Sequence, residues 1–285
     1  MYFADRLADA SRQKHSVAIL GVDPQLDTPT TPGIPAGYTL TQFCCETIEA
    51  CAPWIVAIKP QLAFFEARGV DGMQAFAEAL RTARRLGLLT IADAKRGDIG
   101  STSAAYAEAF LGDGDFASDA VTVNPYQGAD ATMPFIAKVP KGRGVFILVK
   151  TSNPASGEFQ DLPSPDRRLW EKIAERVEGW GGDFVGTSGL SSVGAVVGAT
   201  YPADLKRARE LLPHATILVP GYGAQGGAAS DAVAAARADG LGAIVSASRS
   251  VMYAYLKAPG KKPPQAAADA IVSMRSALND ALAAR

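Results

Sequence analysis

Eight short apolar runs follow one another along the chain: Val17–Val22, Ile55–Ile58, Leu88–Ala92, Ala120–Val123, Val145–Val149, Phe184–Gly186, Ile217–Val219 and Ala243–Ser246. Most are rich in Val, Ile and Leu and lack a clean polar alternation, as expected for strands covered on both faces. Helical periodicity fills most gaps between them, over Leu40–Ala50, Gly72–Leu86, Thr102–Leu111, Arg167–Trp180, Ala203–Leu212 and Ala228–Ala238. An Ala-rich stretch, Pro264–Ala284, predicts a closing helix, and Phe3, Leu7 and Ala10 recur at helical spacing near the start. Strands alternating with helices imply βαβ units and a parallel sheet. Eight such units favour a closed (β/α)8 barrel of the α/β class, expected as one domain over residues 1–285, over an open doubly wound sheet.

Composition narrows the partners. The 285 residues carry a formal net charge of −1, with 48% hydrophobic residues. A near-neutral chain offers no broad basic surface for nucleic acid or an anionic membrane. A small anion needs only a local cluster of cations and stays open. No apolar run approaches a membrane span. The first 15 residues are charged throughout, so no signal peptide is expected and the cytoplasm is the default. Cys44, Cys45 and Cys51 lack metal-ligand spacing and read as small apolar helix residues.

The strand ends change the picture, because barrel enzymes gather their active sites there. The first run ends in Asp23, the second in Lys59, the third in IADAKRGDIGST with Asp93, Lys95 and Asp98, and the fourth in Asn124. Side chains two apart on a strand share a face. Ile19, Gly21 and Asp23 therefore align, as do Ile55, Ala57 and Lys59, and Ile91, Asp93 and Lys95. Ionisable groups of alternating sign would converge at the barrel mouth, where burial demands pairing and coupled charges mark functional sites.

After the seventh run comes VPGYGAQGGAAS, holding Gly221, Gly223 and Gly226 at dinucleotide-fingerprint spacing. Its late position favours a different use. Loops after strands seven and eight of barrels commonly bind phosphate, and Arg249 after the eighth run adds a charge-assisted contact. An NADP 2′-phosphate on Arg249 is the competing reading. His15 and His214, the two histidines, sit away from the strand ends, which argues against serine–histidine catalysis. Asp23, Asp93 and Asp98 form a possible magnesium set, but Lys59 and Lys95 would compete with the cation.

The stretch DAKRGDIGST resembles the Asp-x-Lys-x-x-Asp-Ile-x-x-Thr signature of the orotidine 5′-phosphate decarboxylases. GVDP, AIKP, TVNPYQG, LVKTSNP, PGYGAQGG and SASR fall in that family's order, and the length resembles its longer, mycobacterial-type branch. The resemblance implies a cofactor-free enzyme with a Lys59–Asp93–Lys95–Asp98 network. Lys95 is then the proton donor, and Asp93 sits beside the substrate carboxylate. Asp23 and Lys59 hold the ribose, Ser152 reads the pyrimidine, and Gln225 and Arg249 hold the phosphate. Ile99, Asn124 and Gly226 complete the expected substrate contacts, and Asp98 and Thr102 reach into the neighbouring subunit's site of a homodimer. The physics suits such a reaction. Loss of carbon dioxide leaves a carbanion that the ring delocalises poorly, so the protein must supply electrostatic stabilisation. Repulsion between two carboxylates about 4 Å apart is worth only ~4 kcal/mol at an effective dielectric of about 20. Enzymes typically remove about 8–23 kcal/mol, so phosphate binding and loop closure must contribute too. The rival readings are a magnesium-dependent sugar-phosphate enzyme resembling 3-hexulose-6-phosphate synthase, a non-catalytic nucleotide-binding protein, and an NADP oxidoreductase.

Overall fold

The computed structural model describes residues 1–29, 31–198, 202–223 and 228–285. Eight parallel strands close into a barrel: β1 (Ala18–Val22), β2 (Ala57–Pro60), β3 (Leu89–Arg96), β4 (Ala120–Val123), β5 (Gly144–Lys150), β6 (Ser191–Val197), β7 (Ala215–Pro220) and β8 (Ala243–Ala247). Each strand pairs with the next in sequence. β8 returns to β1 through Ala18↔Val245, Ile19↔Ser246 and Leu20↔Ala247, which removes every open edge. Helices between strands form the outer layer, among them Leu40–Cys51, Gly69–Arg85, Gly100–Leu111, Leu169–Gly181 and Pro202–Leu211.

Strand alternation divides the apolar residues into two cores. Ile19, Ala57, Ile91, Phe146, Leu218 and Ile244 point into the barrel. Leu20, Ile58, Val121, Ile147 and Val245 point outward, against helix residues such as Phe76, Trp170 and Ile271. The helix Phe3–Lys14 seals the N-terminal end of the barrel, where Phe3 meets Phe146 edge to face with centroids 5.9 Å apart. Gly144 makes room for that plug, since a Cβ there would lie 2.4 Å from the Phe3 ring. The helix Pro263–Ala283 packs along Leu40–Cys51 and closes the outer layer.

Three sequence-based expectations need correction. The sixth strand is Ser191–Val197, whereas Phe184 ends a short 3-10 turn, Gly182–Phe184, and Val185 and Gly186 follow it. This strand reads SSVGAVV, and its Ser and Gly positions hide it from an apolar-run criterion. They suit the place: Ser191 donates to Gly181 O, Ser192 accepts from Ala4 N, and Gly194 lies against Phe146. The segment Ala228–Ala238 is α-helical only over Ala229–Ala232, and Arg237 N is drawn to Leu241 O at 2.7 Å. Ile55 precedes β2 and joins the outer core, so it does not share the inward face of Ala57.

Two strands break register on the C-terminal side of the barrel. Along β3, Ala92 pairs with Val121 and Arg96 with Val123, so four steps oppose two. Lys95 within this stretch has φ 48°, a left-handed conformation rare for a residue with a side chain. Along β5, Leu148 pairs with Val196 and Lys150 with Val197. Bulges of this kind re-aim side chains at barrel rims.

Candidate active site

Asp93 is the centre of the mouth. It is buried near the end of β3 and accepts from four groups. Lys59 Nζ donates to Oδ2, as does Gln61 Nε2 at 3.1 Å; Lys95 Nζ donates to Oδ1 at 2.6 Å and Thr122 Oγ1 to the same oxygen at 3.0 Å. The left-handed turn at Lys95 is held from β4, because Lys95 N donates to Thr122 Oγ1 at 2.9 Å. The two lysines differ in setting. The Lys59 side chain is 4% exposed and the Lys95 side chain 41%. Lys59 is thus an interior counter-ion, and Lys95 presents its ammonium to the cavity.

Burial sets the electrostatics and the charges reverse it. Desolvation disfavours the Asp93 carboxylate, but Lys59 and Lys95 outweigh it and hold the group well below the usual carboxylate range. Burial likewise works against the Lys59 ammonium, and Asp93 and Asp23 together raise its pKa above the ordinary lysine value. For Asp23 burial prevails, and its pKa is raised despite Lys59 and a hydrogen bond with Ser248. Asp23 Oδ1 is buried with no hydrogen-bond partner among the described residues. A buried acceptor in that state costs free energy that a ligand hydroxyl would recover.

These groups line one cavity of about 260 Å³. Its inner wall is apolar, from Leu148, Val196 and Leu218. Thr151 and Ser152, just past β5, form one side. Gly221, Tyr222, Ser248 and Arg249 form the side nearest β7 and β8. Gly221 and Gly223 have φ of 97° and 76°, which permits a tight turn there. A flat ring with a charged tail fits such a site: apolar faces for the ring, one guanidinium for an anion, and an ammonium–carboxylate pair between.

The cavity brings together Asp23, Lys59, Asp93, Lys95, Ser152 and Arg249 of the expected residues. Asp98, Ile99, Thr102 and Asn124 do not line it. Asp98 Oδ1 accepts from Ile99 N at 2.7 Å, and Ile99 is 54% exposed before the helix Gly100–Leu111 that carries Thr102. Asn124 uses its side chain to accept from Tyr126 N, which makes it a turn former. Gln225 and Gly226 lie outside the described residues. Sequence reasoning missed Gln61, Thr122 and Ser248. Same-face parity carried past Pro60 would have found Gln61, two residues after Lys59, and the inward parity of β4 would have found Thr122. Parity along β8 would likewise have found Ser248, four residues after the inward Ile244.

Among the described residues no three His, Cys, Asp or Glu side chains are gathered as a metal site. No described helix is long and apolar enough to cross a membrane.

Comparison with known proteins agrees with this geometry. Residues 25–269 match the family model described as Orotidine 5′-phosphate decarboxylase / HUMPS family. Orotidine 5′-phosphate decarboxylase of Deinococcus radiodurans is 42% identical over 282 residues, covering 98% of each chain. The enzyme of that name from Rhodopirellula baltica is 42% identical over 272 residues, covering 90% of this chain and 89% of its own. A solved Toxoplasma gondii structure, provisionally assigned as an orotidine-monophosphate-decarboxylase, superposes with TM-score 0.86 at 31% identity, covering 99% of this chain and 98% of that one.

Proposed function

The chain belongs to the orotidine 5′-phosphate decarboxylase / HUMPS family, and from that membership we propose that it decarboxylates orotidine 5′-monophosphate to uridine 5′-monophosphate and carbon dioxide, the last step of de novo pyrimidine nucleotide synthesis. The observation that carries this reading is Asp93 between two ammonium groups in a cavity that also holds Arg249. The substrate phosphate lies against Arg249 and the glycine turn, with Gln225 and Gly226 as further partners. Its ribose hydroxyls meet Lys59 and the free oxygen of Asp23. The pyrimidine rests on Leu148, Val196 and Leu218, with Ser152 at its edge.

The carboxylate then sits beside Asp93 and the Lys95 ammonium. The carbon–carbon bond breaks, carbon dioxide leaves, and the electron pair stays on the ring carbon. Lys95 stabilises that pair and delivers a proton to the same carbon, becoming a neutral amine that solvent reprotonates. Asp93 keeps Lys95 aimed at this point, so the ammonium is already oriented when the charge develops. Asp98 and Thr102, with Ile99 beside them, serve the site of a second subunit in a homodimer. Length and the AKRGDIGST wording support the longer branch of the family, and a nucleotide-synthesis role supports the cytoplasm.

Purified protein mixed with orotidine 5′-monophosphate in the presence of EDTA is expected to bleach the substrate's ultraviolet absorbance. Lys95→Ala is expected to abolish that loss while the protein stays folded. A folded wild type that leaves the substrate intact overturns the reading. Such inertness, with phosphate binding intact, points to the magnesium-dependent sugar-phosphate enzymes instead.

A further inference from the structure

β5 ends in a half-buried ion pair outside the Asp93 network. Lys150 is buried at 2% exposure, and its Nζ donates to Asp161 Oδ1 at 2.7 Å. The pair spans the base of the connection that follows β5. Arg168 stands 3.6 Å from the same Asp161 oxygen. One residue before Asp161, Gln160 clamps the start of the connection at two points. Thr151 N donates to Gln160 Oε1 at 2.9 Å, and Gln160 Nε2 donates to Thr151 Oγ1 at 2.7 Å. Thr151 Oγ1 in turn donates to Asn153 Oδ1 at 2.6 Å. The far end of the connection is tied by Leu169 N to Leu162 O at 2.9 Å.

The clamp fixes a wall of the cavity. Thr151 and Ser152 line it directly, while Lys150, Gln160 and Asp161 do not. The residue that follows β6 supports the same point: Gly198 N donates to Lys150 O at 2.9 Å, and a Cβ on Gly198 would lie 2.8 Å from Ser152 Cβ. Arg249 and the glycine turn occupy the β7–β8 side, and Lys95 comes from β3. The Thr151–Ser152 wall is left to face the ring end of a ligand.

We propose that Lys150, Asp161 and Gln160 are positioning residues that hold Thr151 and Ser152 against the ring edge of the nucleotide, so that this connection is a fixed specificity wall. The proposal rests on the decarboxylase reading. It differs from a general structural role in one respect. Loosening the wall weakens ligands that carry the pyrimidine and spares ligands that end at the sugar.

The test measures turnover of orotidine 5′-monophosphate and competitive inhibition by uridine 5′-monophosphate and by ribose 5-phosphate. Asp161→Asn and Gln160→Ala are each expected to lower kcat/KM about tenfold or more, equivalent to ~1.4 kcal/mol. Inhibition by uridine 5′-monophosphate is expected to weaken in step, and inhibition by ribose 5-phosphate to stay within about twofold. Asp161→Glu restores most of the loss. Gln160→Ala removes no partner from a buried charge, so it remains informative where Asp161→Asn folds poorly. Unchanged kcat/KM in folded Gln160→Ala, or equal weakening of both inhibitors, overturns the proposal while wild-type turnover keeps the decarboxylase reading. A wild type inert toward orotidine 5′-monophosphate overturns both.

Discussion

Asp93 accepts from two ammonium groups in an interior where either charge alone would be costly. Removing one member of such a network leaves the others uncompensated, at about 3–5 kcal/mol. Asp93→Asn is therefore expected to lower the unfolding free energy at pH 7 by about that amount, read from urea transitions. The pH dependence has a definite sign. Lys59 and Lys95 overcome the burial penalty and depress the Asp93 pKa below its unfolded value. The stabilisation is then present above about pH 4 and is lost as pH falls through the folded value. Wild type and Asp93→Asn should converge in stability as pH drops below about 4, and a constant gap down to pH 2 would refute this. At this scale much of the site was legible. Asp23, Lys59, Asp93 and Lys95 stand out because charge at the end of an apolar strand has little structural reason to recur. Gln61 and Thr122 were not, since uncharged polar residues at strand ends look like ordinary loop starts. Nor does sequence parity disclose that Lys95 reaches Asp93 through a left-handed turn held by Thr122.

The elements follow from hydrophobic patterning wherever the strand is made of large aliphatic side chains. β6 breaks that condition, with Ser191 and Ser192 placed to hydrogen-bond neighbouring backbone and Gly194 where neighbours leave no room. A Cβ on Gly194 would lie 2.5 Å from Thr216 O and 2.8 Å from the Phe146 ring. Gly194→Ala is thus expected to cost about 1–3 kcal/mol, an overpacking penalty measurable by chemical denaturation. Gly21 on β1 has a similar constraint with a different consequence. A Cβ there would lie 2.0 Å from Ser248 Oγ, and Ser248 lines the cavity together with Asp23. Gly21→Ala should therefore raise KM for the nucleotide as well as lower stability. Normal KM in a folded Gly21→Ala protein would mean that Ser248 yields without moving Asp23. Neither glycine reads as special in sequence, because the crowding comes from strands distant along the chain.

For the molecule as a whole, counting eight strand–helix units pointed to the barrel, and the β8–β1 pairing closes it. The Phe3 plug and its Gly144 socket were not legible, since a long-range fit of that kind leaves no periodicity. The same limit applies to assembly. Asp98 and Thr102 stand outside the cavity lined by Asp93 and Lys95, although Asp98 belongs to the same short motif. Our reading gives them a role across a two-fold interface, where each site takes Lys95 from one subunit and Asp98 from the other. Subunit mixing tests this without any knowledge of the interface. Lys95→Ala and Asp98→Ala are each expected to be nearly inactive alone. In a random mixture about half the dimers are hybrids, and each hybrid has one site with both residues intact and one with neither. Activity should therefore recover to about a quarter of the wild-type value per site after co-refolding or slow subunit exchange. Recovery at that level requires two chains per site. No recovery, with hybrids verified by mass, would place Asp98 in its own subunit's chemistry, reached by movement of the segment between β3 and the helix Gly100–Leu111.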